Sequence, residues 1–207
     1  MSENVKEKLL IEPHYLPCFS WMKLAGDYKS IYFSNNENYV KASYRNRCHV
    51  LSPNGILTMS IPVKKSKEER NKMGTIKISY DFDWQKNHWM TLMSSYRRSP
   101  YFEFFEDNFA PFYQKKYELL IEMNYELIKL LFKITNIHCE IIFTDDYIEP
   151  GTEGFDDYRN MIIPSTKSLK FNQPNYIQVF SDRFNFFEDL SIADMIFNKG
   201  KINFNAI

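Results

Sequence analysis

The sequence predicts an α+β chain, an antiparallel β-hairpin or small mixed sheet packed against several α-helices, in a single domain spanning residues 1–207. Three observations carry this. Residues 39–51 alternate polar and apolar, and after Ser52-Pro53-Asn54-Gly55 a second such run covers 56–63, the period of half-buried strands. Tyr117, Leu120, Ile121, Asn124, Leu127, Ile128 and Leu131 recur at helical spacing, which predicts a long helix over 113–133. No Gly/Ser-rich or Pro-rich linker divides the chain, so one domain is expected in preference to a second one beginning near residue 135.

The elements follow in order. Leu9–Glu12 reads as a short strand, 14–18 as a loop, and Phe19–Ala25 as a helix stopped by Gly26. Ser30–Phe33 is a strand. In the hairpin, Val40, Ala42, Tyr44, Cys48 and Val50 share one face, and Lys41, Ser43, Arg45, Arg47 and His49 the other. Pro53 cannot adopt positive φ, which points to a four-residue loop closing on Leu51 and Ile56. That register sets Arg47 against Ser60, Cys48 against Met59, His49 against Thr58 and Tyr44 against Val63; Asn46, against Ile61, is the polar exception. Residues 64–73 form a charged run expected to be a mobile loop. Thr75–Ser79 reads as a strand, and Asp83 caps a helix from Trp84 to about Arg97. Ser99-Pro100 opens another helix, with proline at its first position, and Pro111 interrupts it. Glu140–Phe143 and Ile177–Phe180 read as strands around an irregular stretch. Ser191 to Asp194 matches a capping box with Leu190 and Met195 as its staple, and the last helix ends before Gly200.

Composition excludes several classes. Apolar residues make up 44% and aromatics 17% of the chain, too many for extensive disorder. Lys plus Arg and Asp plus Glu both number 26, so no cationic excess supports a nucleic-acid protein working by bulk charge. Cys18, Cys48 and Cys139 are odd in number, far apart and without a CxxC pair, which disfavours disulfides and fits a reducing compartment. The N-terminal residues lack a signal-peptide pattern and no apolar run approaches the ~20 residues of a membrane helix. A cytoplasmic protein that is not membrane-embedded is expected. The four histidines show no metal spacing, and neither a metal nor a cofactor is required by any motif; GxSxG, P-loop and GxGxxG patterns are all missing.

The chemistry of the candidate site is read from the hairpin. Alternate strand residues stand about 7 Å apart, so Lys41, Arg45 and Arg47 would form a row of like charges. Such a row either binds an anion, such as phosphate or carboxylate, with Ser60 adding a hydrogen bond, or it is a solvated face neutralised by Glu37. Asn46 and Asn124 interrupt apolar faces and are expected to bond backbone and lock loops. His88, one turn after Trp84, is the candidate general acid or base, set against a packing role. Cys18, ahead of a helix, is a weaker candidate nucleophile.

The ordered motifs Pro13-His14-Tyr15-Leu16-Pro17, Glu37 to Arg47, Ser60 to Val63, Trp84 with His88, Tyr96 with Pro100 to Phe102, Asn124, Tyr158-Arg159, and Leu190 to Gly200 resemble the WbqC-like bacterial proteins over nearly the whole chain. Cys18 and the segment 168–170 depart from the common pattern. The resemblance implies a place in O-antigen or other surface-polysaccharide biosynthesis, and transfer of a glycyl or other acyl group to a sugar. The substrate would then be a nucleotide-activated or lipid-linked sugar, anionic, with His88 as the catalytic base. Tyr15 and Asn46 would position the acceptor, and Glu37, Lys41, Arg45, Arg47 and Ser60 would complete the binding set. A non-catalytic accessory or glycan-binding protein is the alternative.

Overall fold

The computed structural model describes residues 6–64 and 71–204. Most of the charged run expected to be a mobile loop, residues 65–70, lies outside the described residues. The fold is α+β. Four strands, β1 (Lys6–Leu10), β2 (Tyr28–Ser34), β5 (Glu140–Thr144) and β6 (Asp156–Asp157), form a parallel sheet in the order β5-β2-β1-β6. Helix α1 (Phe19–Gly26) makes the crossover that parallel pairing of β1 with β2 demands. β3 (Arg47–Ser52) and β4 (Gly55–Ser60) form a separate antiparallel hairpin. The remaining helices are α2 (Trp84–Tyr96), α3 (Phe102–Phe109), α4 (Leu120–Thr135) and α5 (Ile192–Lys199).

The core is aromatic. Trp21 of α1 lies between Phe33 of β2 and Phe132 of α4, with ring centroids 6.4 and 6.2 Å away. Phe197 of α5 meets Tyr96, Phe102 and Phe109 at 5.0–5.3 Å, joining three helices through tilted ring contacts at the separations aromatic pairs favour. Gly200, at φ 81°, ends α5 where a Cβ would stand 2.9 Å from the Tyr101 ring.

The hairpin register is as predicted: Arg47 faces Ser60, Cys48 faces Met59, His49 faces Thr58 and Leu51 faces Ile56. The ladder runs one pair further, to Ser52 and Gly55, and Gly55 takes the positive φ of 98° that Pro53 cannot. The first strand is shorter than expected. Residues 39–40 are irregular and 41–46 are turns and bends, because Ala42 sits at φ 60° and the carbonyls of the segment are committed elsewhere. Val40 O accepts from Ser43 Oγ at 2.6 Å, Tyr44 O from Tyr15 N at 2.9 Å, and Arg45 O from Asn124 Nδ2 at 2.7 Å. Tyr44 therefore does not pair with Val63, which bridges Ile78 instead.

Other boundaries shift for comparable reasons. β1 begins earlier than read and ends before Ile11 and Glu12. The long helix starts at Leu120, not 113, because 118–120 is held extended against 76–78: Ile78 N donates to Glu118 O and Leu120 N to Ile76 O. Thr75–Ser79 makes only isolated bridges, at Lys77 and Ile78; Pro62 opposite has no N–H to extend a ladder. Ser99 and Pro100 form a turn ahead of α3 rather than its cap, with Phe102 N bonded to Ser99 O at 3.3 Å. Ile177–Phe180 is not a strand: Phe180 is at φ 72°, and the Gln178 side chain bonds the Phe187 backbone through both its ends. Ser191 caps α5 by accepting from Ala193 N, but the reciprocal half of the box is missing, since Ser191 N donates to His49 O.

Candidate active site

In a parallel sheet the carboxyl ends of all strands open on one edge, and ligands of such sheets bind there. In this chain that edge gathers polar residues from three loops: Glu12 and His14 beyond β1, Glu37 beyond β2, and Arg159 and Asn160 beyond β6. Arg45 reaches them from the turn before β3.

Arg45 is fully buried. Its Nη2 donates to Glu37 Oε1 and, at 3.0 Å, to Asn160 Oδ1; its Nη1 stands 3.5 Å from Glu12 Oε1. Glu12 Oε1 also contacts His14 Nε2 at 3.2 Å, and Glu12 Oε2 accepts from Asn160 N at 3.0 Å. A buried arginine thus has two glutamates and an amide around it. Such an assembly survives desolvation only through charge pairing and hydrogen bonds.

The two glutamates are driven apart in acidity. Burial pushes Glu12 up, but the hydrogen bond from His14, the Arg45 charge and the Asn160 N–H outweigh it and bring its carboxyl down to about 2. Burial raises Glu37 and Arg45 does not fully compensate, with the Glu12 charge adding to the rise. Burial also lowers His14; beside an ionised Glu12 its Nε2 is the donor. One carboxylate is held well below its ordinary range and its neighbour is raised, the pattern that separates acid–base roles within a site.

Glu37 lines a cleft of about 550 Å³ with Asn38, Asp157, Arg159 and Asn160, and its rim carries Val40, Tyr147 and Met161. Arg159 is forked onto Asp157, Nε to Oδ1 at 2.9 Å and Nη2 to Oδ2 at 2.5 Å, and lies 5.3 Å from the Tyr147 ring centroid. Two side-chain atoms of cleft residues, Glu37 Oε2 and Arg159 Nη1, are buried without a hydrogen-bond partner among the described residues. Buried polar atoms are almost always paired, so each exception asks for a physical reason, and a bound group is one. A larger hollow of about 840 Å³ lies beside α4. Its charges pair with each other in solvent, as Lys115 does with Glu126 at 3.1 Å, and none of its lining side chains has a buried unpaired atom.

Of the residues expected from sequence, Glu37 and Arg45 come together here. The row of like charges does not form, because no strand runs through 39–46. Lys41 is exposed on a turn, Arg45 is buried and neutralised, and only Arg47 is on β3. Arg47 and Ser60 face each other at the hairpin's end and do not line the cleft. Asn46 Nδ2 donates to Ile61 O at 2.8 Å, and Asn124 ties Pro13 O to Arg45 O, so both lock backbone.

Tyr15 and His88 meet elsewhere. The Tyr15 hydroxyl bonds His88 Nδ1 and the Tyr113 hydroxyl, both at 3.0 Å. Burial brings His88 down to about 4, against a raising bond to the Ser60 backbone, and Trp84 packs edge-on at 5.1 Å. His88 does not line the cleft. Burial, reinforced by Asp189, drives the Cys18 thiol well above its usual range, the opposite of an activated nucleophile. Glu12, Tyr147, Asp157, Arg159 and Asn160 were not read as site residues. The signals in the sequence were Glu12, an acid directly after the apolar run Leu9–Ile11, and Arg159, which stood among the family-like motifs without being given a site role.

The WbqC-like protein family model matches residues 12–163, a span that contains every cleft residue named above. The chain belongs to this family. It is 22% identical over 144 residues to a Mycobacterium tuberculosis (strain ATCC 25618 / H37Rv) protein described as uncharacterized protein Rv1507c. That match covers 69% of this chain and 62% of the relative. No solved structure matches. Among the described residues no helix is long and apolar enough to cross a membrane.

Proposed function

We propose that the chain is a cytoplasmic transferase of bacterial surface-polysaccharide (O-antigen) biosynthesis that moves a glycyl or other acyl group onto a sugar, with Glu37 as general base in the cleft. The observation that carries this reading is the pair of glutamates around one buried arginine, Glu37 on Arg45 Nη2 and lining the cleft, Glu12 3.5 Å from Arg45 Nη1. The acceptor's amine or hydroxyl attacks the carbonyl of an activated acyl donor as Glu37 takes its proton. The new C–N or C–O bond forms, the donor's leaving group departs with the electron pair, and Glu37 returns the proton to it. The phosphate of a nucleotide-activated or lipid-linked sugar lies outside the cleft in this reading, toward exposed Lys41.

The test begins with incubation in a metabolite extract and identification of what co-purifies. Turnover of that compound is then compared between wild type and Glu37→Gln. The variant should bind it and lose roughly 10²–10⁴-fold in rate. An accessory, glycan-binding role is the second reading, favoured by the three exposed apolar side chains Val40, Tyr147 and Met161 at the cleft rim. Binding with no turnover in the wild type would establish it instead.

A further inference from the structure

The sequence led to an anion site; the charges around the cleft argue for the opposite sign. Three carboxylates, Glu12, Glu37 and Asp157, surround two guanidiniums, Arg45 and Arg159. Both guanidiniums already have carboxylate partners. With Glu37 ionised the assembly carries one net negative charge, and with Glu37 protonated it carries none. In neither state does it hold the positive excess that a phosphate dianion needs to leave water. Lys41 is exposed, so its field is screened by water and salt; Lys72 is half-buried, and its Nζ is engaged by Asn36 O at 2.9 Å and Asn38 Oδ1 at 3.4 Å. Burial lowers His14, which contacts Glu12 Oε1 at 3.2 Å, so it adds little to the positive side.

The unpaired atoms specify the rest. Glu37 Oε2 is an acceptor in need of a donor, and Arg159 Nη1 a donor in need of an acceptor. Both side chains are more than nine-tenths buried. Val40, Tyr147 and Met161 offer an apolar wall beside them. We propose that the cleft binds a primary amine, whose nitrogen bonds Glu37 Oε2 while a neutral acceptor on the same molecule meets Arg159 Nη1 and its ring or carbon face lies against Tyr147. This deepens the transfer reading and rests on it for the role of Glu37: the acceptor's nucleophile is an amine, not a hydroxyl, and the product is an amide. The amine docks as the ammonium ion, releases one proton to solvent to become nucleophilic and loses the second to Glu37 as it attacks.

The test uses three probes on one ring, cyclohexylamine, cyclohexanol and cyclohexyl phosphate, followed by NMR on the full chain with isotope-labelled Tyr and Met. The amine should shift Tyr147 and Met161 at concentrations at least tenfold below the other two. Glu37→Gln should abolish that preference, and Asp81→Asn, outside the cleft, should preserve it. Preference for the phosphate, equal response to all three, shifts confined to other residues, or no response would overturn the proposal. Turnover of a hydroxyl acceptor without amine binding would remove this inference and leave the transfer reading. Amine binding without any turnover would do the reverse.

Discussion

The Asn160 side-chain oxygen accepts a hydrogen bond from Arg45 Nη2 at 3.0 Å, and this contact fastens the loop after β6 to the turn before the hairpin. Asn160 is at φ 60°, a left-handed conformation that asparagine tolerates better than most residues. From there its N–H reaches Glu12 Oε2 while its side chain reaches Arg45. One residue thereby holds both partners of a buried ion pair, and Glu37 is fixed against the same guanidinium.

Removing Arg45 should be severe. Arg45→Met leaves Glu12 and Glu37 buried without their counter-charge, a change that costs about 3–5 kcal/mol. Arg45→Lys should remain destabilised, because a point charge cannot serve Glu12, Glu37 and Asn160 from one fork. Urea unfolding of the two variants checks this; wild-type stability in either one would show that the cluster does not hold the fold.

The acid limb of stability has two identifiable sources. His88 is lowered to about 4, so the unfolded state binds its proton first. The stability it contributes is present above about 6.5 and is lost as pH falls from there through 4. Glu12, lowered to about 2, contributes stability that is complete above its unfolded value near 4.5 and is lost between there and 2. Glu37 has the opposite sign: its raised value means stability declines as pH rises through it. NMR titration of His88 should give an apparent value near 4 with Nδ1 unprotonated, and a titration near 6.5 would place the ring in solvent instead.

Ser191→Ala should cost about 0.5–2 kcal/mol through loss of the cap to Ala193 N, with ligand binding unchanged. Thermal melts and a binding titration of the same variant separate the two effects. A binding loss at constant stability would place Ser191 in a site. The partner expected for it, Asp194, is instead turned to the Tyr176 hydroxyl at 2.5 Å and Gln178 Nε2 at 3.1 Å.

The sequence disclosed what depends on neighbouring residues. The register of β3 on β4 was legible because polar residues face polar ones across a short loop, and a slip of one residue would invert both strands. The row of Lys41, Arg45 and Arg47 was misread because alternation looks the same whether or not the backbone is extended. A left-handed Ala42 and the Asn124 bond to Arg45 O are invisible in it. The cleft was hidden for a different reason. Glu12 and Asn160 are 148 positions apart, and they meet only because β1 and β6 lie side by side in parallel, a pairing that two residues of β6 do nothing to announce.

Arg159 and Arg47 now make opposite predictions for ligand binding. Arg159 lines the cleft with its fork fixed on Asp157 and one nitrogen unpaired. Arg159→Ala should therefore weaken binding of the co-purified ligand by about 1.5–3 kcal/mol, the worth of a charged hydrogen bond, or roughly 10–150-fold. Arg159→Lys should recover little, since lysine cannot hold Asp157 at two points and also present a free donor. Arg47, on β3 and away from the cleft lining, should leave affinity within about twofold of wild type when changed to Ala. Calorimetric titration of the three variants at one salt concentration decides the matter. If Arg47→Ala weakens binding more than Arg159→Ala does, the ligand sits against the hairpin, and the anion site first suggested by the sequence replaces the cleft at the sheet's carboxyl edge.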